Sequence, residues 1–305
     1  MTTAIFGRGN VAAWCYVPYD SVQRTPQQRA ALLAKLGFTA AVWDWRAEHV
    51  PLFGEELRAL EGQGVHLAGL WCPLADGTPG VPPSVALLME QAADAGLTPQ
   101  LWTCLEFGPP WDSAHSHRAP VAADQAARIA DAVARTTPLA ALAADYGMTV
   151  GLYNHMGWAG EPENLVEVAD ALAAQGFANV GLVYQQHHGH THVERWEQMW
   201  PAIAPRVIAL GLNGMIPLSE DPTTAARGRK IHPYGHGPRD VDLARTVAES
   251  GWDGLVTVLG HTMDDVELRL RDNLEGLDWV AAQLRGELVP DQPPPARIPE
   301  PVWPH

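Results

Sequence analysis

The sequence predicts a (β/α)8 barrel, an α/β fold of eight parallel strands ringed by helices, and two observations carry that expectation. Eight short β-rich runs alternate with segments of helical period from residue 12 to residue 284, the alternation that places helices outside a parallel sheet. No Gly-rich phosphate turn follows the first run, which leads instead into Tyr16-Val17-Pro18-Tyr19-Asp20. An open doubly wound sheet would carry such a turn there, so closure into a barrel is favoured, and ATP and NAD are disfavoured on the same ground.

In chain order the strands fall at Ala12–Val17, Thr39–Trp45, His66–Trp71, Thr98–Glu106, Met148–His155, Asn179–His187, Arg206–Asn213 and Gly254–Gly260. Helices are expected at Pro26–Leu36, Gly54–Gly62, Pro82–Ala95, Ala123–Tyr146, Pro162–Gln175, Val193–Ile203, Val241–Ser250 and Met263–Leu284. Apolar residues recurring at three and four, as in Leu165, Val168, Ala169 and Leu172, mark the helical period. Gly37, Gly96, Gly147, Gly176 and Gly251 each stand between a helix and the next strand, as left-handed caps that turn the chain back into sheet. Phe107–Val121 is long for a strand-to-helix loop and holds Trp111, Asp112, His115 and His117; loops of that kind cover barrel sites. Residues 1–286 are then one barrel domain, and 287–305 a Pro-rich tail that reads as an extended strap.

Of the 305 residues 47% are hydrophobic and 18% charged, enough for one large core. The net charge of −15, with no basic cluster to offset it, repels nucleic-acid backbones and anionic membranes. No run approaches the ~18 apolar residues of a membrane span. Cys15, Cys72 and Cys104 lie in apolar runs and read as reduced core thiols. MTTAIFGRGN lacks the features of a leader, so the cytoplasm is the expected compartment.

A barrel's chemistry gathers where its strands end. Those positions carry Asp44 and Arg46, Trp71, Glu106, then Asn154, His155 and Trp158, then Gln185-Gln186-His187-His188-Gly189-His190-Thr191-His192, then Asn213 and His261. Of 13 histidines, His155, His187, His188, His190, His192 and His261 stand at such ends. That clustering is the main functional signal in the chain.

Tyr153-Asn154-His155-Met156-Gly157-Trp158, Tyr184-Gln185-Gln186-His187-His188-Gly189-His190 and Leu212-Asn213-Gly214-Met215, in this order on this fold, resemble the xylose isomerase-like barrels over residues 10–285. That superfamily includes sugar and sugar-phosphate isomerases and epimerases, and endonuclease IV. Together with Gly260-His261-Thr262, the motifs resemble a bacterial branch found near enzymes acting on 3-keto sugars. The resemblance implies a small-molecule carbohydrate substrate, proton abstraction next to a carbonyl, and a divalent ion held by Glu, Asp, His and Glu at the ends of strands five to eight. This sequence departs from that set: Asn154 or His155 stands at the first Glu, Gln185 at the Asp, Asn213 at the His and Gly260-His261 at the last Glu. What remains is a set of His155, His188 and His261 with Glu106, suited to Zn, Ni or Fe, or to Mn when Glu106 joins.

In that reading Glu106 or His155 is the base, and Arg46, Trp71, Trp111, Asn154, Trp158, Gln186 and Asn213 contact the sugar. A lyase eliminating from a 3-keto-glycoside and a sugar-binding barrel that has lost its ion are the alternatives; the acidic charge speaks against an endonuclease. A homo-oligomer is compatible with each.

Each residue also has a structural reading. His187 and His188 are adjacent, so on a strand they face opposite sides, and the resemblance makes His188 the inward one. His190 reads equally as a metal ligand or as a partner of backbone groups, and His192 as a surface residue. Glu106, if buried, must be paired, metal-bound or protonated, and Arg46 or Arg118 is a ready partner. Asp44 and Arg46 lie two apart, share a face and read as a rim ion pair ahead of sugar ligands. Trp71, Trp111 and Trp158, nearest to loops, read as platforms for sugar C–H faces or as core. The basic, glycine-rich stretch from Gly228 to Gly237 is a plain loop or an anion cradle.

Overall fold

In the computed structural model, which describes residues 3–74, 80–105, 125–155, 157–225, 229–298 and 302, eight parallel strands close into a barrel in chain order. They are β1 (Val11–Trp14), β2 (Ala40–Trp43), β3 (His66–Trp71), β4 (Gln100–Cys104), β5 (Val150–Tyr153), β6 (Val180–Gln185), β7 (Val207–Leu212) and β8 (Leu255–Leu259). The ring closes where β1 pairs with β8, Val11 beside Val256 and Trp14 beside Leu259. Between the strands run α1 (Pro26–Leu36), α2 (Phe53–Gly62), α3 (Pro83–Asp94), α4 (Gln125–Asp145), α5 (Pro162–Ala174), α6 (Trp196–Ile203) and α7 (Asp240–Ser250), with α8 (Val266–Leu284) after the last strand.

Local chemistry accounts for the helix boundaries. At α1, Thr25 and Gln28 form a reciprocal capping box ahead of Pro26, and Gly37 at φ 85° ends the helix in the left-handed region. α6 begins three residues later than expected because His190–Arg195 winds as a 3-10 turn.

Alternate residues of the strands face two different cores. Ala12, Trp14, Val42, Trp102, Tyr153, Val183, Ala209 and Leu259 pack in the lumen. Ala13, Ala41, Trp43, Leu101, Leu152, Leu182 and Val258 pack outward against the helices. Behind β1, the buried Arg29 of α1 forks onto the buried Glu56 of α2, with Nε 3.2 Å from both carboxylate oxygens; a buried charge needs a partner of this kind. The tail lies along α8. Trp279 Nε1 donates to the Pro290 carbonyl at 2.8 Å, and Arg297 pairs with Asp272 and Glu275 at 2.8 and 2.6 Å. Among the described residues, no helix is long and apolar enough to cross a membrane.

Several strands stop short of the expected ends: β2 at Trp43, β5 at Tyr153, β6 at Gln185 and β8 at Leu259. At the mouth, side chains take over the backbone groups. Asp44 Oδ1 accepts from the Tyr16 and Val17 N–H groups at 3.1 and 3.2 Å, and Asn154 Oδ1 accepts from the Gln185 N–H at 2.7 Å.

Candidate active site

The carboxyl ends of the strands open onto an aromatic floor. Trp14 and Trp102 meet edge to face with ring centroids 4.9 Å apart, Trp71 and Tyr153 at 5.3 Å, and Trp14 and Trp71 at 6.0 Å. Above this floor the half-buried side chains of Tyr19, Trp71, Cys104, His155, His188 and His261 line the mouth. Cys104 is thus at the site rather than in the sealed core expected of all three thiols.

The histidines form a continuous row. His155 and His188 have ring centroids 4.6 Å apart, His188 and His187 4.0 Å, His187 and His261 6.0 Å, and His261 and Tyr19 3.9 Å. The expected gathering of His155, His188 and His261 is present, and His187 is the link that joins His261 to the others. His187 does not face outward. β6 ends at Gln185, and Gln186–His188 is a 3-10 turn, in which neighbouring side chains diverge by about 120° rather than the 180° of a strand.

Lys230 enters from the loop between β7 and α7. Its Nζ donates to His188 Nδ1 at 3.0 Å, which leaves the ring proton on Nε2, pointing away from the lysine. Burial pushes both His187 and His188 well below the usual imidazole range, and the neighbouring imidazoles and the Lys230 ammonium push in the same direction. These rings are neutral at neutral pH, the form that accepts a proton. At the rim, Arg46 donates to the Tyr19 hydroxyl at 2.6 Å and lies over its ring. Asp44 is sealed below, where burial pushes its carboxyl up to about 7 against the pull of Arg46 and the N–H groups.

Four expected sugar contacts serve the scaffold instead. Asn154 is fully buried and exchanges hydrogen bonds with the Gln185 backbone at 2.7 and 3.3 Å. Gln186 Oε1 accepts from the Asn213 N–H at 3.0 Å. Asn213 bridges its loop, with Oδ1 accepting from His232 N–H and Nδ2 donating to the Lys230 carbonyl, both at 3.0 Å. Trp158 is buried in the outer core, with Nε1 donating to Gln125 at 2.7 Å. Amide side chains and an indole N–H suit a sugar, but they suit unpaired backbone groups and helix side chains equally, and here those lie nearer.

Three further expectations change. His190 is a backbone partner: Nε2 donates to the Lys230 carbonyl at 2.7 Å and Nδ1 accepts from the Ile216 N–H at 3.3 Å. His192 is buried, not on the surface, and bonds the Tyr184 hydroxyl at 2.9 Å. Asp44 and Arg46 form no ion pair, because β2 ends before them and the shared-face spacing does not apply. Glu106, Trp111, His115, His117 and Arg118 lie outside the described residues. Arg46, Trp71, His155, His188 and His261 do come together at the mouth. His187, Lys230, Tyr19 and the floor of Trp14, Trp102 and Tyr153 were not anticipated there. Their traces in the sequence are the inward parity of the strand aromatics, Tyr19 in the run after β1, and the lysine of the glycine-rich segment.

The described residues do not fit a divalent ion. No three His, Cys, Asp or Glu side chains among them converge on one point, since the imidazoles form a row rather than a cage. His188 Nδ1 is taken by an ammonium, whose charge opposes a cation beside it.

No family model matches the chain, and no curated protein matches its sequence. Solved structures do resemble it. The 3-keto-D-glucoside 4-epimerase of E. coli superposes with a TM-score of 0.62 at 12% identity, covering 89% of this chain and 98% of that one. The IOLI protein with a bound zinc atom gives 0.62 at 13%, over 89% and 99%. The D-psicose 3-epimerase of Clostridium cellulolyticum H10, seen with D-tagatose, gives 0.61 at 13%, over 92% and 100%. Identities this low speak for shape alone. What the chain shares with these structures is its fold, a closed (β/α)8 barrel.

Proposed function

We propose that the chain is a carbohydrate epimerase or isomerase that moves a proton on the carbon next to a carbonyl. The observation that supports this reading is the row of imidazoles, with His187 and His188 held neutral and with Lys230 and Arg46 beside them, over an aromatic floor at the carboxyl ends of the strands. The aromatic floor suits the C–H face of a sugar. His155, beside His188, is placed to take the carbon-bound proton. His188, whose Nε2–H is fixed as a donor, faces the oxygen on which charge develops. The structural neighbours named for epimerases of keto sugars add weight to a ketose substrate. No step is routed through an ion, because the donors among the described residues do not close on one.

The test is solvent exchange. The chain is incubated in D2O with D-fructose, D-psicose, D-tagatose or a 3-keto-D-glucoside, and the sugars are followed by NMR. Deuterium at the carbon beside the carbonyl, with a second sugar appearing and both lost in His155→Ala, supports the reading. Release of the aglycone from the glucoside assigns the same proton abstraction to a lyase. Absence of exchange in every sugar sinks it.

A further inference from the structure

The mouth of this barrel holds a cation of its own, and the fold fixes it there. Lys230 is buried, and its carbonyl accepts from both His190 Nε2 at 2.7 Å and Asn213 Nδ2 at 3.0 Å. The surrounding loop is fastened along its length. Asp240 accepts from the N–H groups of Met215, Gly235 and Gly237 at 2.7, 2.7 and 3.0 Å, and Asn273 Oδ1 accepts from that of Tyr234 at 2.9 Å. Gly235, at φ +89°, lies against Gly276 so closely that a Cβ on it would come within 2.8 Å of the Gly276 Cα. Only glycine permits both that conformation and that approach. Buried polar groups and close backbone packing at this many points make a rigid mount, and the side chain it presents to the mouth is Lys230.

The ammonium lies against the row of imidazoles, 3.0 Å from His188 Nδ1, where it opposes both a metal cation and protonation of the rings. We propose that Lys230 supplies the positive charge that a divalent ion would otherwise bring to the developing enediolate, and that its presence keeps such an ion out. The proposal rests on the proton-transfer reading. In the step, the C–H bond next to the carbonyl breaks and the proton passes to His155. The electron pair forms the carbon–carbon double bond, and the carbonyl π electrons move to oxygen. The His188 Nε2–H faces that oxygen, and the Lys230 ammonium, on the other side of the ring, strengthens this donor and lends its charge to the oxygen across it. Reprotonation of the carbon from solvent on the opposite face, with the proton on His155 passing to water, inverts the centre. A charge already in place needs no rearrangement as the reaction proceeds.

Two measurements test this on the full chain. Calorimetric titration with Zn2+ and with Mn2+, on protein purified without chelator, is expected to find no stoichiometric site in the wild type. The same titration on Lys230→Met is expected to show at least about a tenfold gain in Zn2+ affinity, from imidazoles released from the ammonium. One ion per wild-type chain that disappears in His188→Ala overturns the proposal, and so does a Lys230→Met variant that binds Zn2+ as poorly as the wild type. The second measurement is the exchange rate with whichever ketose the wild type turns over. Lys230→Met should lower kcat about 100-fold with KM little changed, and Lys230→Arg should restore part of it. Full exchange in Lys230→Met, or borohydride trapping of the ketose on Lys230, overturns the ammonium role while leaving proton transfer intact. If the wild type exchanges no sugar, the functional reading fails, and the Zn2+ titration still decides whether Lys230 excludes an ion.

Discussion

Four histidines lie within seven residues after β6, and they divide into two pairs with opposite fates. His190 and His192 are saturated: one is bonded at both ring nitrogens to the loop after β7, the other to the Tyr184 hydroxyl, with Glu161 at 3.5 Å. His187 and His188 face the mouth. His188 meets Lys230, and His187 makes no hydrogen bond at either ring nitrogen. A buried imidazole without a hydrogen-bond partner among the described residues costs stability, whereas the saturated pair serves the scaffold. Residue type and neighbourhood in sequence are the same for both pairs; the difference lies in which nitrogens the fold already uses.

Substitutions can break that contrast, and the largest effect belongs to the mouth. His188→Ala is expected to lower turnover about 10³-fold while leaving the unfolding midpoint nearly unchanged. His187→Leu should likewise cost activity yet hold stability, or raise it by up to about 1 kcal/mol, since it removes an unsatisfied buried group. A loss of folding in either would place these rings with the scaffold. Next in size is His190→Ala, which strips partners from the Lys230 carbonyl and the Ile216 N–H. Denaturant titration should show a loss of about 3 kcal/mol, and an unchanged midpoint would contradict the assigned role.

A smaller effect comes from acid. Burial depresses His187, His188 and His190, the last to about 4. Below an unfolded value of about 6.5 the unfolded chain binds protons that the folded chain refuses, so stability falls with pH by up to about 1.4 kcal/mol per unit for each histidine. His187→Leu should flatten the dependence of Tm on pH between 6.5 and 5. An identical slope in wild type and variant would mean that His187 titrates normally. The smallest effect is expected of His192→Phe, about 1 kcal/mol for one hydrogen bond lost with the ring volume kept.

The outer architecture was legible because each part of it repeats. Strand and helix periods, with glycines at the turns, place α1 at Pro26–Leu36 without error and the other helices within three residues of their observed bounds. The site was legible only as a location. Asn154, Gln186 and Asn213 sit at strand ends, where their positions alone suggest sugar ligands, but they satisfy the Gln185, Asn213 and Lys230 backbones. Side-chain amides serve either purpose, and one-dimensional spacing does not separate the two.

By itself the sequence determined the ring of strands and that imidazoles crowd at the carboxyl ends of those strands. Tertiary structure decided which imidazoles face inward, because the two-residue period stops where β6 gives way to a 3-10 turn. It also decided that Lys230 reaches His188 across 42 positions of chain. That meeting depends on barrel closure and on a loop anchored from three directions, and neither is written in the neighbourhood of either residue.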